Sequence, residues 1–268
     1  MKKKIRLIKK GKTIWLALSC MLVMSIAALP AFAGHPLITD DTGTQGQGKF
    51  QMELTGEYER DDTKGARTKV TTIEGVLTAG LTETIDIVLG VPFQYGRLVE
   101  DTEDGRERSS EKGISDVSAA VKWRFFDRNG LSFAVKPGVT FPTGNDDKGL
   151  GGGRMTYGID LISSLEVGPA CLHANVGYVQ NENKSEERKE LWHASLAAEI
   201  PVLENLALVA DIGTERNSDF ASRTNPVFLL GGIVYSPNED IDLSFGVKGG
   251  LNDVAPDYAL LAGLTFRF

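Results

Sequence analysis

Three side chains in the second half of the sequence have the types from which a hydrolase or metal site is built: His173, His193 and Ser195. A serine nucleophile needs an imidazole within hydrogen-bond reach, about 3 Å, and a shared metal needs both histidines on one ion. All three fall on the polar parity of two strand-like runs, which pair antiparallel around a loop centred near residues 185 and 186. That register puts His173 opposite about Ala198, with His193 about five residues higher, roughly 16 Å away at ~3.3 Å per residue. Ser195 points the same way as His193 from two residues along, at ~7 Å. The spacing argues against both chemistries, and the chain reads as a non-enzyme without a cofactor or metal. Two loop motifs fail in the same way. Gly144 to Arg154 (GNDDKGLGGGR) lacks the Gly-Lys-Ser/Thr ending of a phosphate loop, and Asp101 to Glu107 (DTEDGRE) lacks the later bidentate Glu of a calcium loop.

What remains is charge arranged on one parity. Glu53, Glu57, Glu74, Asp86, Asp116, Asp160, Glu166, Glu199, Asp211 and Asp242 share that polar parity with Lys122, Arg124, Lys136, Lys248 and Arg267. Lined around a lumen, with His173 among them, these groups would set the charge preference of a permeation path. Carboxylates predominate, so cations or neutral solutes are the expected cargo. Lys122, Arg124 and Lys136 form a basic strip on two adjacent strands, facing carboxylates of the first two strands.

The elements that would position them alternate with period two through most of the chain after residue 48. In KFQMELTGEYE, Phe50, Met52, Leu54 and Tyr58 take one face, and Gln51, Glu53, Thr55, Glu57 and Glu59 the other. Twelve strands follow from this rule, near residues 49–59, 68–81, 84–96, 114–126, 131–142, 156–167, 170–181, 190–201, 204–215, 225–236, 240–250 and 257–268. Connections alternate in length. Tight turns stand at Thr82-Glu83, Asp127 to Gly130, Gly168-Pro169, Leu203-Glu204 and Pro237 to Glu239, and longer polar segments at Val99 to Gly113, Gly144 to Arg154, Asn181 to Glu190 and Arg216 to Asn225. Short periplasmic turns, long outer loops and strands of about ten residues are the pattern of a transmembrane antiparallel up-and-down β-barrel. The fold class expected is therefore all-β, a single barrel over residues 49–268.

The N-terminus fits that destination. Seven Lys and Arg side chains precede an apolar stretch from about Ile14 to Leu29 and the small-x-small site Ala31-Phe32-Ala33, the organisation of a cleaved signal peptide over residues 1–33. Cys20 stands in a poor lipobox. Removing these residues leaves 22 basic against 36 acidic side chains, a net charge of about −14, which argues against nucleic acid as a partner. Cys171 is then the sole cysteine, so no internal disulfide can form.

At the other end, YALLAGLTFRF places Tyr258, Phe266 and Phe268 on the lipid parity. An aromatic last residue on such a strand resembles the signal read by the outer-membrane assembly machinery. Arg267, on the opposite parity, is expected beside Gln51 or Glu53 where the last strand meets the first, in an Arg–carboxylate pair.

A second resemblance lies in His35 to Phe50, HPLITDDTGTQGQGKF, with its Pro, Thr-Asp-Asp, Thr and Gly-rich run before the first strand. It resembles the opening of the outer-membrane family described as the MetA-pathway of phenol degradation. The resemblance implies an outer-membrane barrel of a Gram-negative bacterium that moves small solutes passively, aromatic compounds among the candidates, and carries over no binding residues. Lipid, lipopolysaccharide, the assembly machinery and a small solute are the partners expected; the rival reading is a non-conducting structural or adhesion barrel. Residues 34–48 cannot pack a core of their own. They are expected at the periplasmic mouth as a candidate partial plug, with Asp40 and Asp41 held to lumen cations.

Overall fold

The computed structural model describes residues 34–63, 66–102 and 105–268; the expected signal peptide lies outside the described residues. Alternation becomes strand wherever one parity meets lipid and the other the interior. The strands are β1 (Phe50–Thr63), β2 (Ala66–Gly80), β3 (Ile85–Thr102), β4 (Gly105–Ile114), β5 (Val117–Arg128), β6 (Leu131–Phe141), β7 (Thr156–Val167), β8 (Ala170–Gln180), β9 (Glu190–Leu203), β10 (Leu206–Glu215), β11 (Val227–Asn238), β12 (Ile241–Gly250) and β13 (Tyr258–Arg267). Each pairs antiparallel with its neighbours, β1 with β13 at one seam and β2 with β3 at the other, so the sheet closes on itself. β4 and β5 both pair with β3, β4 above and β5 below, so they form one interrupted stave and the barrel has twelve. No helix among the described residues is long and apolar enough to cross a membrane; the strands do the crossing.

The outer surface carries the large apolar side chains, among them Met52, Leu54, Val91, Phe93, Trp123, Leu161 and Phe266. An exposed band of this kind has no place in water and suits hydrocarbon. Inside, the same strands present small and polar residues such as Ala197, Ser195, Thr78 and Asp211.

Three expectations need correction. Val99 to Gly113 is not a loop: β3 runs to Thr102 and β4 returns from Gly105, paired from Thr102↔Gly105 down to Phe93↔Ile114. Hydrogen bonding to a neighbouring strand, which polarity alone does not reveal, sustains this extension beyond the lipid band. The stave expected at 114–126 is β5, at Val117–Arg128. His173 pairs with Ala197 rather than Ala198, and His193 with Gly177, so they stand four residues apart in register, one fewer than expected. Arg267 lies opposite Gln51, as expected, and donates from Nε to its Oε1 at 3.2 Å, while the carboxylate paired with its guanidinium is that of Asp242 on β12. Asp242 faces Thr265 across β12–β13, two residues from Arg267 on the same face and within reach of the guanidinium.

Turn chemistry fixes the register where connections are short. Asn129 and Gly130 both have positive φ, 54° and 76°, the requirement of a two-residue turn whose twist matches the flanking strands β5 and β6.

Candidate functional site

The lumen is not empty. Residues 34–48, which have no periodicity of their own, fold into the barrel and follow its inner wall almost strand by strand. His35 sits against β12, its Nδ1 2.8 Å from Ser244 Oγ. Pro36 packs onto a patch without side chains: a Cβ built on Gly246 would lie 2.8 Å from Pro36 Cβ, and one on Gly232 2.8 Å from its Cγ. Gly232 and Gly246 are directly paired on β11 and β12, so two adjacent strands open one seat.

The next residues turn their backbone donors to a buried carboxylate. The Ile38 and Thr39 amides both donate to Asp211 Oδ2 at 2.8 Å, and the Thr39 hydroxyl lies 2.8 Å from Asp211 Oδ1 and 2.7 Å from Ser195 Oγ. Ser195 is thus engaged with Thr39, while His173 Nδ1 lies 2.8 Å from Ser164 Oγ and His193 Nε2 3.0 Å from Asp160 Oδ1. The two histidines and the serine serve three separate contacts. The Asn175 amide, oriented by its neighbours, donates to Asp40 O at 2.9 Å and accepts from Asp40 N at 2.7 Å.

Asp40 is the centre of the arrangement. Its two oxygens each accept from a lysine at 2.8 Å, Oδ1 from Lys122 and Oδ2 from Lys136, and Asp41 Oδ1 lies 3.6 Å from Lys122. Burial alone would favour the neutral acid, but the two ammonium groups prevail and hold the Asp40 carboxyl well below the usual range. Beyond it the Thr42 amide donates to Ser164 and its hydroxyl meets Ser132; the Gln45 amide donates to both Asp86 oxygens, at 3.0 and 3.2 Å. Gly48 N then donates to Gly80 O at 2.9 Å and the chain enters β1.

The other predicted lumen residues are distributed around this core. Glu53, Glu74 and Asp86 line a cavity of about 290 Å³ between the segment and the barrel wall, together with Thr55, Val76, Arg267 and the two lysines that hold Asp40, Lys122 and Lys136. Glu57 is bound to Lys248 at 2.6 Å. Glu199 faces inward opposite Cys171. Arg124 and Glu166 stand at the rim that carries the short turns, Arg124 donating to Glu83 O at 3.2 Å and Glu166 beside Gly130. Asp116 stands between β4 and β5 and accepts from Gly144 and Gly152 at 2.9 and 2.8 Å, pinning the 144–154 loop over the outer mouth. Tyr258 and Phe266 face outward on β13; Phe268 stacks on Phe50 at 5.8 Å, and the Phe50 and Phe268 backbones exchange two hydrogen bonds.

Sequence reasoning missed the hydroxyl and amide partners of the segment and the glycine seat of Pro36. The only local signal for the seat is Gly and Ser at inward positions of three successive strands, Gly232, Ser244, Gly246 and Gly263.

Comparison with known proteins follows this geometry. An outer-membrane channel from Pseudomonas putida F1 superposes with a TM-score of 0.65 at 14% identity, over 85% of this chain and 98% of that one. The translocator domain of the autotransporter NalP from Neisseria meningitidis gives 0.54 at 11%, over 97% and 98%, and KdgM porin 0.53 at 8%, over 81% and 99%. At these identities the likeness is one of fold, that of outer-membrane barrels. No curated protein matches the sequence. The family model described as "Putative MetA-pathway of phenol degradation" matches residues 33–268, nearly the whole chain after the expected signal peptide, and the chain belongs to that family.

Proposed function

We propose that this barrel is a narrow outer-membrane channel for passive movement of small cationic or neutral solutes, and that residues 34–48 define its bore. One observation carries the reading: the segment leaves a cavity of about 290 Å³ lined by Glu53, Glu74 and Asp86, and the two lysines that also line it, Lys122 and Lys136, are paired with Asp40. Valines and threonines share that wall with the carboxylates, which suits a small ring bearing an ammonium or hydroxyl donor, and aromatic compounds belong to this class. Residues 1–33 are read as the export signal removed before assembly. Tyr258, Phe266 and Phe268 are read as the assembly signal, and lipopolysaccharide and the assembly machinery as partners in the membrane.

Single-channel recording of the mature protein tests the proposal, beside a variant lacking residues 35–45. The expected result is a small conductance in the complete chain and a several-fold larger one in the variant. Silence from both, in bilayers where insertion is verified, would favour a non-conducting structural barrel.

A further inference from the structure

The part of β1 to β4 that rises above the lipid band sorts its charges by face. Inward positions of β4 hold Glu107 and Glu111, the latter 3.4 Å from Lys148 of the loop over the mouth. Outward positions are basic. The registers Arg60↔Lys69 and Lys69↔Arg97 place three cations side by side across β1, β2 and β3, and Arg67↔Val99 with Val99↔Arg108 places two more one row higher. Like charges directly opposite on a sheet repel. Asp62 answers Arg60 and Arg67, at 2.5 and 2.6 Å. For Lys69, Arg97 and Arg108 no carboxylate partner stands among the described residues, and with Arg67 they line a cleft of about 130 Å³.

The height of the row identifies what it meets. Twelve residues of β3 separate Ile85, at the lower edge of the apolar face, from Arg97. At ~3.3 Å per residue and a tilt near 40° they rise about 30 Å, which clears the apolar band of such barrels, about 25 Å tall, by a few ångströms. Tyr58 and Tyr95 lie one outward position below the basic row, where an aromatic girdle belongs. The row therefore continues the lipid-facing surface at headgroup level on the outer side. A chain with this acidic a composition, a net charge of −7 even with its basic N-terminus, has little reason to gather unpaired cations there unless an anion joins them.

We infer that Lys69, Arg97 and Arg108, flanked by Arg67, bind the phosphate groups of an outer-leaflet glycolipid, each guanidinium offering paired donors to phosphate oxygens. The site lies on the outer wall, apart from the lumen, and rests on the outer-membrane placement of the barrel but not on conduction. Bound lipid would relieve the repulsion across β1, β2 and β3 and stiffen the extension.

The test is native mass spectrometry of the mature protein in detergent, titrated with bisphosphorylated lipid A or its dephosphorylated form. The expected result is at least tenfold tighter retention of the phosphorylated lipid. The triple variant Lys69→Gln, Arg97→Gln, Arg108→Gln loses that difference, and the loop variant Lys148→Gln, Lys184→Gln keeps it. Equal retention of the two lipids, an unaffected triple variant, or displacement of lipid A by millimolar inorganic phosphate would overturn the inference. Insertion of the same preparations into phosphatidylcholine vesicles is read in parallel by the heat-modifiable gel shift. Inserted protein without phosphate preference overturns the site alone, whereas failure to insert overturns the placement as well.

Discussion

At the scale of single residues, the docked segment is held by one carboxylate between two lysines and by one imidazole in a tight seat. Asp40 keeps its charge because Lys122 and Lys136 outweigh its burial, so the clamp should survive mild acid. His35 behaves oppositely. Burial lowers its pKa from the ordinary 6.5 to about 4, with Glu57 opposing in part. A docked imidazole that refuses a proton which the undocked one accepts makes docking strongest above pH 6.5 and progressively weaker as the pH falls towards 4. Conductance is therefore expected to rise between pH 6.5 and 4, and His35→Gln should flatten that rise; an unchanged slope in the variant would remove His35 from the account. Little of this was legible beforehand. Asp40 could be tied to lumen cations from charge alone, whereas the Thr39–Asp211 contact joins residues 172 apart in sequence and leaves no local trace.

At the scale of elements, alternation makes the strands readable because lipid on one side and the lumen on the other impose opposite demands on successive residues. Above the membrane those demands weaken, so the hairpin of β3 and β4 reads as a polar loop, and only the pairing of Glu100↔Glu107 and its neighbours reveals it as sheet. Two elements make separable predictions. Gly130, at φ 76°, should tolerate alanine poorly: Gly130→Ala is expected to cost about 1–2 kcal/mol of barrel stability, measured by urea unfolding in detergent or vesicles. Gly246→Ala places its Cβ 2.8 Å from Pro36 without meeting the backbone of its own sheet closely, so it should unseat the segment and leave barrel stability nearly unchanged. A larger conductance with an unaltered unfolding midpoint is the expected signature. A lowered midpoint would mean that the added methyl disturbs the wall itself.

At the scale of the whole molecule, the lumen has two electrostatic halves, and the segment pairs its own carboxylate with the basic one. Lys122 and Lys136 on β5 and β6 face the carboxylates of β1, β2 and β3 across the cavity; Asp40 pairs with both lysines, and Glu53, Glu74 and Asp86 tip the balance of the lining towards negative charge. In a narrow passage with low-dielectric walls this imbalance is focused on the solute. The complete chain should therefore select cations, read as the sign of the reversal potential under a potassium chloride gradient, and Glu53→Gln with Glu74→Gln should reduce that preference without enlarging the conductance. Asp40→Asn separates bore from charge most sharply. It leaves the wall carboxylates in place but frees two ammonium groups and loosens the segment, so conductance should rise while cation preference falls. A segment acting only as an obstruction would raise the conductance with no change in selectivity, and a segment acting only as a counter-charge would change selectivity with no change in conductance. Both quantities moving together, in opposite directions, is what this arrangement of Asp40 between Lys122 and Lys136 requires.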